Sequence, residues 1–152
     1  MKNEILVIDD NLDIRSLISN LLKEKDFIVR EAANYDQALY EINKKLPDMA
    51  IIDIKLDKGD KDGIDILKKI MATNNKLPVI MISGHASLQT AIESIRLGAY
   101  EFLEKPFSTD KILNYVNRAL ENLKLKSSNE NLESKLFHSF DIVGKNNQIT
   151  KI

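Results

Sequence analysis

The chain has 152 residues, with 22 basic and 23 acidic side chains and a net charge of -1. This balance creates no global positive field to favour nucleic acid or a membrane surface. Cysteine is absent, which excludes disulfides, thiolate catalysis and zinc–thiolate sites, and the apolar runs are too short to span a bilayer. Hydrophobic residues make up 43%, enough to bury a core in one domain with some length to spare. The amino-terminal run reads as a strand ending in two aspartates rather than as a signal peptide, so the expected location is cytoplasmic.

Glu4-Ile5-Leu6-Val7-Ile8 is short, apolar and β-branched, the pattern of a buried strand, and it ends at Asp9. The period then changes. Leu12, Ile14, Leu17, Ile18, Leu21 and Leu22 fall at helical spacing, with Asn11 placed to cap the helix. Phe27-Ile28-Val29 predicts a second strand. The next helix runs from Tyr35 to Lys45 through Ala38, Leu39 and Ile42, and Pro47 marks its end. Met49-Ala50-Ile51-Ile52 predicts a third strand ending at Asp53. A polar loop follows, then a helix through Ile64, Ile66, Leu67 and Ile70. Pro78 to Ile82 predicts a fourth strand ending at Ser83. A helix from Leu88 to Leu97 is stopped by Gly98. Tyr100 to Leu103 predicts a fifth strand leading to Lys105-Pro106, and a last helix spans about Ser108 to Leu123. Five strand–helix repeats with continuous apolar strands imply a parallel sheet covered on both faces, and right-handed crossovers make it doubly wound.

After Leu125 the composition turns polar, rich in serine and asparagine. Leu132, Leu136 and Phe137 supply a sparse helical stripe, too short to define a coiled coil. Ile142-Val143-Gly144-Lys145 begins something different.

In an open α/β sheet, ligands bind beyond the carboxyl ends of the strands, near the point where strand order reverses. Here those ends carry Asp9-Asp10, Asp53, Ser83 and, after the fifth strand, Lys105. Each alone has a plainer role: a turn or cap aspartate, a turn serine, a solvated lysine. Together they place three carboxylates, a hydroxyl and an ammonium on one edge. Crowded carboxylates repel by several kcal/mol at low effective dielectric and so need a cation. Hard oxygen ligands without His or Cys suit Mg²⁺. A carboxylate beside Mg²⁺ can act as a nucleophile toward phosphorus, with Lys105 neutralising the phosphoryl oxygens and the Ser83 hydroxyl donating to them.

Other constellations fail. Aligning Gly63 with the glycine of an EF-hand loop puts Lys58 first and Lys69 at the bidentate glutamate position, so Asp57, Asp60 and Asp62 read as a solvated acidic loop. Gly144-Lys145 has no upstream glycine at P-loop spacing. His85 reads as a helix-start surface residue and His138 as a solvated tail residue, so no Ser-His-Asp arrangement assembles.

As a set, Val7-Ile8-Asp9-Asp10, Asp53, Ile82-Ser83-Gly84 and the run Gly98-Ala99-Tyr100-Glu101-Phe102-Leu103-Glu104-Lys105-Pro106-Phe107 resemble the receiver domain of two-component response regulators. The resemblance covers about residues 4 to 124 and implies the five-stranded, CheY-like (flavodoxin-type) α/β fold. It implies that a sensor histidine kinase phosphorylates Asp53. Mg²⁺ would be held by Asp9, Asp10, Asp53 and the backbone carbonyl of Lys55. It implies a cis Lys105–Pro106 peptide, and a switch in which Ser83 moves inward and the aromatic Phe102 follows. The responding face would be the fourth helix, fifth strand and fifth helix, with Ile92, Ile95, Tyr115 and Val116 as candidate contacts of a homodimer, some of which must belong to the core, and to which the linker helix could also contribute. Such a domain is a regulatory phosphoacceptor rather than an enzyme.

Met81-Ile82-Ser83-Gly84-His85-Ala86 and Ile142-Val143-Gly144-Lys145-Asn146 are similar to the nitrogen-regulation subgroup, and within it to NtrX-type regulators. That resemblance implies a receiver at 1–124, a helical linker at 125–141 and the start of an AAA+ ATPase domain at 142–152. The chain would then be a fragment that contacts neither DNA nor membrane itself. Leu56-Asp57 stands where many receivers have Met-Pro, and the loop to Asp62-Gly63 is longer than usual, which bears on kinase specificity but not on the acceptor. Three rival readings are weaker. An aspartate-nucleophile phosphatase of the haloacid dehalogenase type needs a second Asp where Lys55 stands. A flavodoxin-like electron carrier needs a hydroxyl- and glycine-rich phosphate loop where Asp9-Asp10-Asn11 stands. A degenerate receiver acting only as a protein-binding module would not need the full acceptor set.

Overall fold

The structure of the chain, a computed structural model, describes residues 2–56, 62–84 and 88–136; for residue 62 and residues 123–136 it describes the backbone. The expectations for His85, Asp57, Asp60, His138 and the run from Ile142 lie outside the described residues. Among the described residues, strands and helices alternate: β1 (Glu4–Ile8), α1 (Leu12–Glu24), β2 (Ile28–Ala32), α2 (Tyr35–Lys44), β3 (Met49–Asp53), α3 (Asp62–Thr73), β4 (Val79–Ser83), α4 (Leu88–Arg96), β5 (Glu101–Glu104) and α5 (Thr109–Leu136). All strand pairs are parallel, in the order β2-β1-β3-β4-β5. This is the doubly wound five-stranded α/β fold.

The two faces of the sheet carry separate cores, sorted by strand alternation. Ile5, Val7, Ile51, Ile80, Ile82 and Leu103 pack with Ile18 and Leu22 of α1 and with Ile112, Val116 and Ala119 of α5. Leu6, Ile8, Ile52, Val79 and Met81 pack with Ala38 and Ile42 of α2 and with Ile64, Leu67 and Ile70 of α3. The central strands β3 and β4 are buried at every position, and each large aliphatic side chain so buried contributes about 1.5–3 kcal/mol.

Two helices show which of their apolar residues face the core. The inward line of α1 runs through Ile14, Ile18 and Leu22, whereas Leu12 and Leu17 lie on its flanks and are exposed. Val116, a candidate for an intermolecular face, is fully buried against the sheet. Gly98 ends α4 as read: its φ of 116° is a left-handed conformation, and a Cβ there would meet Met71 Sδ at 2.6 Å.

The chain divides into a compact unit, residues 1–120, and a second unit, residues 121–152. Everything below belongs to the first. Among the described residues no helix is long and apolar enough to cross a membrane.

Candidate acceptor and metal site

Strand order reverses between β1 and β3, and the carboxyl ends of these two strands deliver the acids. Asp9 follows β1 directly. Its N–H donates to the Ala32 carbonyl at 3.1 Å, and its Oδ1 accepts from the Asn11 N–H at 2.9 Å. Asn11 in turn caps α1, accepting from the Ile14 N–H at 3.1 Å. The chain therefore leaves the sheet and enters a helix within three residues, which leaves Asp9 buried and Asp10 exposed. Asp53 is the last residue of β3 and is buried. The next residue is still tied to the sheet, with the Ile54 N–H donating to the Ile82 carbonyl at 2.9 Å. One carboxylate oxygen from each of Asp9, Asp10 and Asp53 lies within 4.8 Å of the others.

Lys105 reaches this cluster from beyond β5. Its N–H donates to the Ser83 carbonyl at 2.8 Å, and its Nζ lies 3.3 Å from both Asp9 Oδ2 and Asp53 Oδ2. Ser83 ends β4, is buried, and is paired in register with Glu104. The Lys55 N–H donates to Asp53 Oδ1 at 3.4 Å. The Lys105–Pro106 peptide bond is cis. Phe102 is half-buried and packs against the core on the α2–α3 face.

The electrostatics are unbalanced, with three carboxylates facing one ammonium. The Asp53 carboxyl is raised to about 6, chiefly because burial disfavours its charge and secondly because Asp9 repels it; Lys105 and the Lys55 N–H pull the other way. Asp9 Oδ2 is buried and accepts no hydrogen bond; Lys105 Nζ beside it makes an ion pair without hydrogen-bonding geometry. A buried carboxylate oxygen left in this state is costly unless a cation meets it. An all-oxygen donor set fits Mg²⁺ rather than a softer metal.

Three contributors, Gly63, Arg15 and Glu31, have roles that no motif gives. A Cβ on Gly63 would sit 2.1 Å from the Asp53 carbonyl oxygen, so only glycine lets the start of α3 pack onto the acceptor strand. The Gly63 N–H donates to the Ile54 carbonyl at 2.8 Å across that contact. Arg15 of α1 donates from a terminal guanidinium nitrogen to the Asp9 carbonyl at 2.8 Å and from Nε to Glu31 at 2.9 Å. A cation in the first turn of a helix opposes the helix dipole, and this was the one sequence hint that Arg15 has a tertiary task.

A parallel 2-1-3-4-5 sheet with three acids and a lysine at its carboxyl edge defines the receiver class, and residues 5–117 match the response regulator receiver domain model. The chain belongs to that family. It is similar to an NtrX-like response regulator of Rickettsia bellii, 41% identical over 97% of this chain and 30% of that protein. It is also similar to the nitrogen assimilation regulatory protein NtrX of Azorhizobium caulinodans, 36% identical over 100% of this chain and 33% of that protein. The crystal structure of the receiver domain of NtrX from Brucella abortus superposes with a TM-score of 0.72 at 43% identity, over 77% of this chain and 98% of that one. The chain thus spans about a third of the length of the curated relatives it matches.

Proposed function

We propose that Asp53 accepts a phosphoryl group from a phosphohistidine of a sensor histidine kinase and that this charge change regulates a nitrogen-related transcriptional output. The observation that carries the reading is the placement of Asp53: buried at the end of β3, 3.3 Å from Lys105 Nζ and within a cluster of three carboxylates. Asp9, Asp10, Asp53 and the Lys55 carbonyl would hold Mg²⁺. When bound, the metal offsets the charge of the acids and of the phosphoryl oxygens.

An Asp53 carboxylate oxygen attacks phosphorus. The phosphorus–oxygen bond forms as the phosphorus–nitrogen bond breaks, and the electron pair leaves with the imidazole. Lys105, already held by its main chain on Ser83, supplies a fixed positive charge beside the reacting oxygen. The Ser83 hydroxyl then donates to a phosphoryl oxygen, drawing the end of β4 inward, and Phe102 follows. The charge at Asp53 goes from -1 to roughly -2, which biases a pre-existing equilibrium of the α4–β5–α5 face. The exposed Leu88, Ile92 and Ile95 of α4 support a homodimer contact there. The domain is a phosphoacceptor that takes part in its own transfer, not an enzyme acting on other substrates. The role named for the Azorhizobium relative supports a nitrogen-regulation output.

Reductive trapping tests the acceptor directly. After incubation with Mg²⁺ and phosphoramidate, borohydride should convert Asp53 to homoserine, found by peptide mass. Trapping at another residue, or at none, would contradict the reading.

A further inference from the structure

We infer that Arg15, held by Glu31, is a positioning residue for the acid pocket, setting the direction of both Asp9 and Asp10. The inference rests on the acceptor reading above. Asp9 O and Asp10 N belong to one planar peptide. A hydrogen bond to that oxygen therefore fixes the plane from which both carboxylates project. The Arg15 guanidinium makes this bond at 2.8 Å, and the Asp9 N–H is fixed on its other side by Ala32 of β2. The Asp9 main chain is thus held at both polar groups. Its carboxylate is fixed through Oδ1 by Asn11, leaving the buried Oδ2 for the pocket.

Glu31 gives the arrangement its sign. Arg15 is a cation near an acid-rich site, and a free guanidinium would compete for the carboxylates with any metal. Pairing with Glu31 at 2.9 Å neutralises it and aims its remaining donors at a carbonyl. Asp10 is exposed and presents a carboxylate oxygen to the cluster. The two cations therefore do different work: Lys105 from the β5 side meets the carboxylates themselves, and Arg15 from the β2 side meets only the backbone that carries them. The Arg15 side chain is 15% exposed, so its geometry is set by packing rather than by solvent. A fork of fixed donors can serve the carbonyl and the glutamate at once, which a lysine cannot.

The test is Mg²⁺ titration by calorimetry of the wild type, Arg15→Met, Arg15→Lys and Glu31→Gln, with the thermal midpoint of each measured in EDTA. Arg15→Met should weaken Mg²⁺ binding about tenfold, the scale of losing an outer partner of a metal ligand. Arg15→Lys should recover only part of that loss. Glu31→Gln should weaken binding about threefold at low ionic strength, with the deficit shrinking as salt screens the released guanidinium. A merely structural role lowers the midpoint in EDTA but leaves the affinity of folded protein unchanged. Arg15→Met within twofold of wild type overturns the proposal while leaving the acceptor reading intact. If Arg15→Met does not fold, Arg15→Lys and Glu31→Gln decide by the same criterion, since wild-type affinity in both overturns it. Absence of Mg²⁺ binding by the wild type overturns both readings.

Discussion

The same sheet carries two charge clusters, and they are built on opposite plans. Toward the amino ends of the strands, Arg30 of β2 pairs with Glu4 at 3.2 Å and with Glu41 at 2.9 Å, and donates to the carbonyls of Glu41 and Lys45. Lys45 adds a weaker pair to Glu4 at 3.6 Å, and the Glu4 N–H donates to Asp48 at 2.7 Å. Charges there alternate in sign and tie β1, β2, α2 and the approach to β3 together. At the carboxyl ends, Asp9, Asp10 and Asp53 cluster around Lys105, whose Nζ is ion-paired with Asp9 and Asp53. The first cluster meets most of its charges from within, although Arg30 Nε is buried and meets Glu4 as an ion pair without a hydrogen bond, and it serves the fold. The second carries a deficit of positive charge, and that deficit is what the proposed cation and phosphoryl group would meet.

This contrast can be broken from either end. The largest stability effect belongs to the balanced cluster. Arg30→Met strands two half-buried glutamates and should cost about 3 kcal/mol in chemical denaturation, with phosphoryl uptake per folded molecule unchanged. A loss of uptake without a loss of stability would reverse the assignment of the two clusters. Asp9→Asn should do the opposite. It relieves repulsion in the acid pocket and should raise metal-free stability at pH 7 by about 1–2 kcal/mol, while weakening Mg²⁺ binding about a hundredfold, both readable by denaturation and calorimetry.

The acidity of Asp53 sharpens the comparison further. Its folded-state value of about 6 lies above the ordinary 3.8, so the folded chain binds this proton more tightly than the unfolded one does. The associated stability is full below about pH 4 and is lost as the pH rises through 6, a span of about 2–3 kcal/mol. Denaturation of metal-free protein from pH 4 to 8 should show this fall, Asp53→Asn should flatten it, and saturating Mg²⁺ should offset it. The smallest effect is expected of Ser83→Ala, which removes one donor to the phosphoryl group and should slow uptake about threefold to tenfold with little change in stability.

How far this was legible in the sequence depended on where the signal lay. The central strands β1, β3 and β4 are buried on both faces, so they are written as unbroken apolar runs, and the acids that end them could be placed on one edge. The apolar pattern of the edge strand β2 predicts Phe27–Val29, whereas the strand runs Ile28–Ala32, because Arg30 and Glu31 dilute that pattern while meeting partners in other elements. In α1, Leu12 and Leu17 share the helical spacing of the inward residues yet are exposed, because periodicity alone does not separate the centre of a helical face from its margins. Asp9, Asp10, Asp53, Ser83 and Lys105 were accessible as strand ends. Arg15 and Glu31 were not, since they are sixteen residues apart and meet only because α1 folds back over β2. Gly63 was visible as a glycine, but its packing against the Asp53 carbonyl is a tertiary fact.

If the unbalanced cluster is a phosphoacceptor built around Asp53, intact mass after incubation with Mg²⁺ and acetyl phosphate reads it out, beside Asp53→Ala and a sample pretreated with EDTA. Wild-type protein with Mg²⁺, and neither control, should gain one phosphoryl mass, about 80 Da. An equal gain in Asp53→Ala, or no gain in folded wild-type protein that binds Mg²⁺ and is offered both small donors and a histidine kinase, would contradict it.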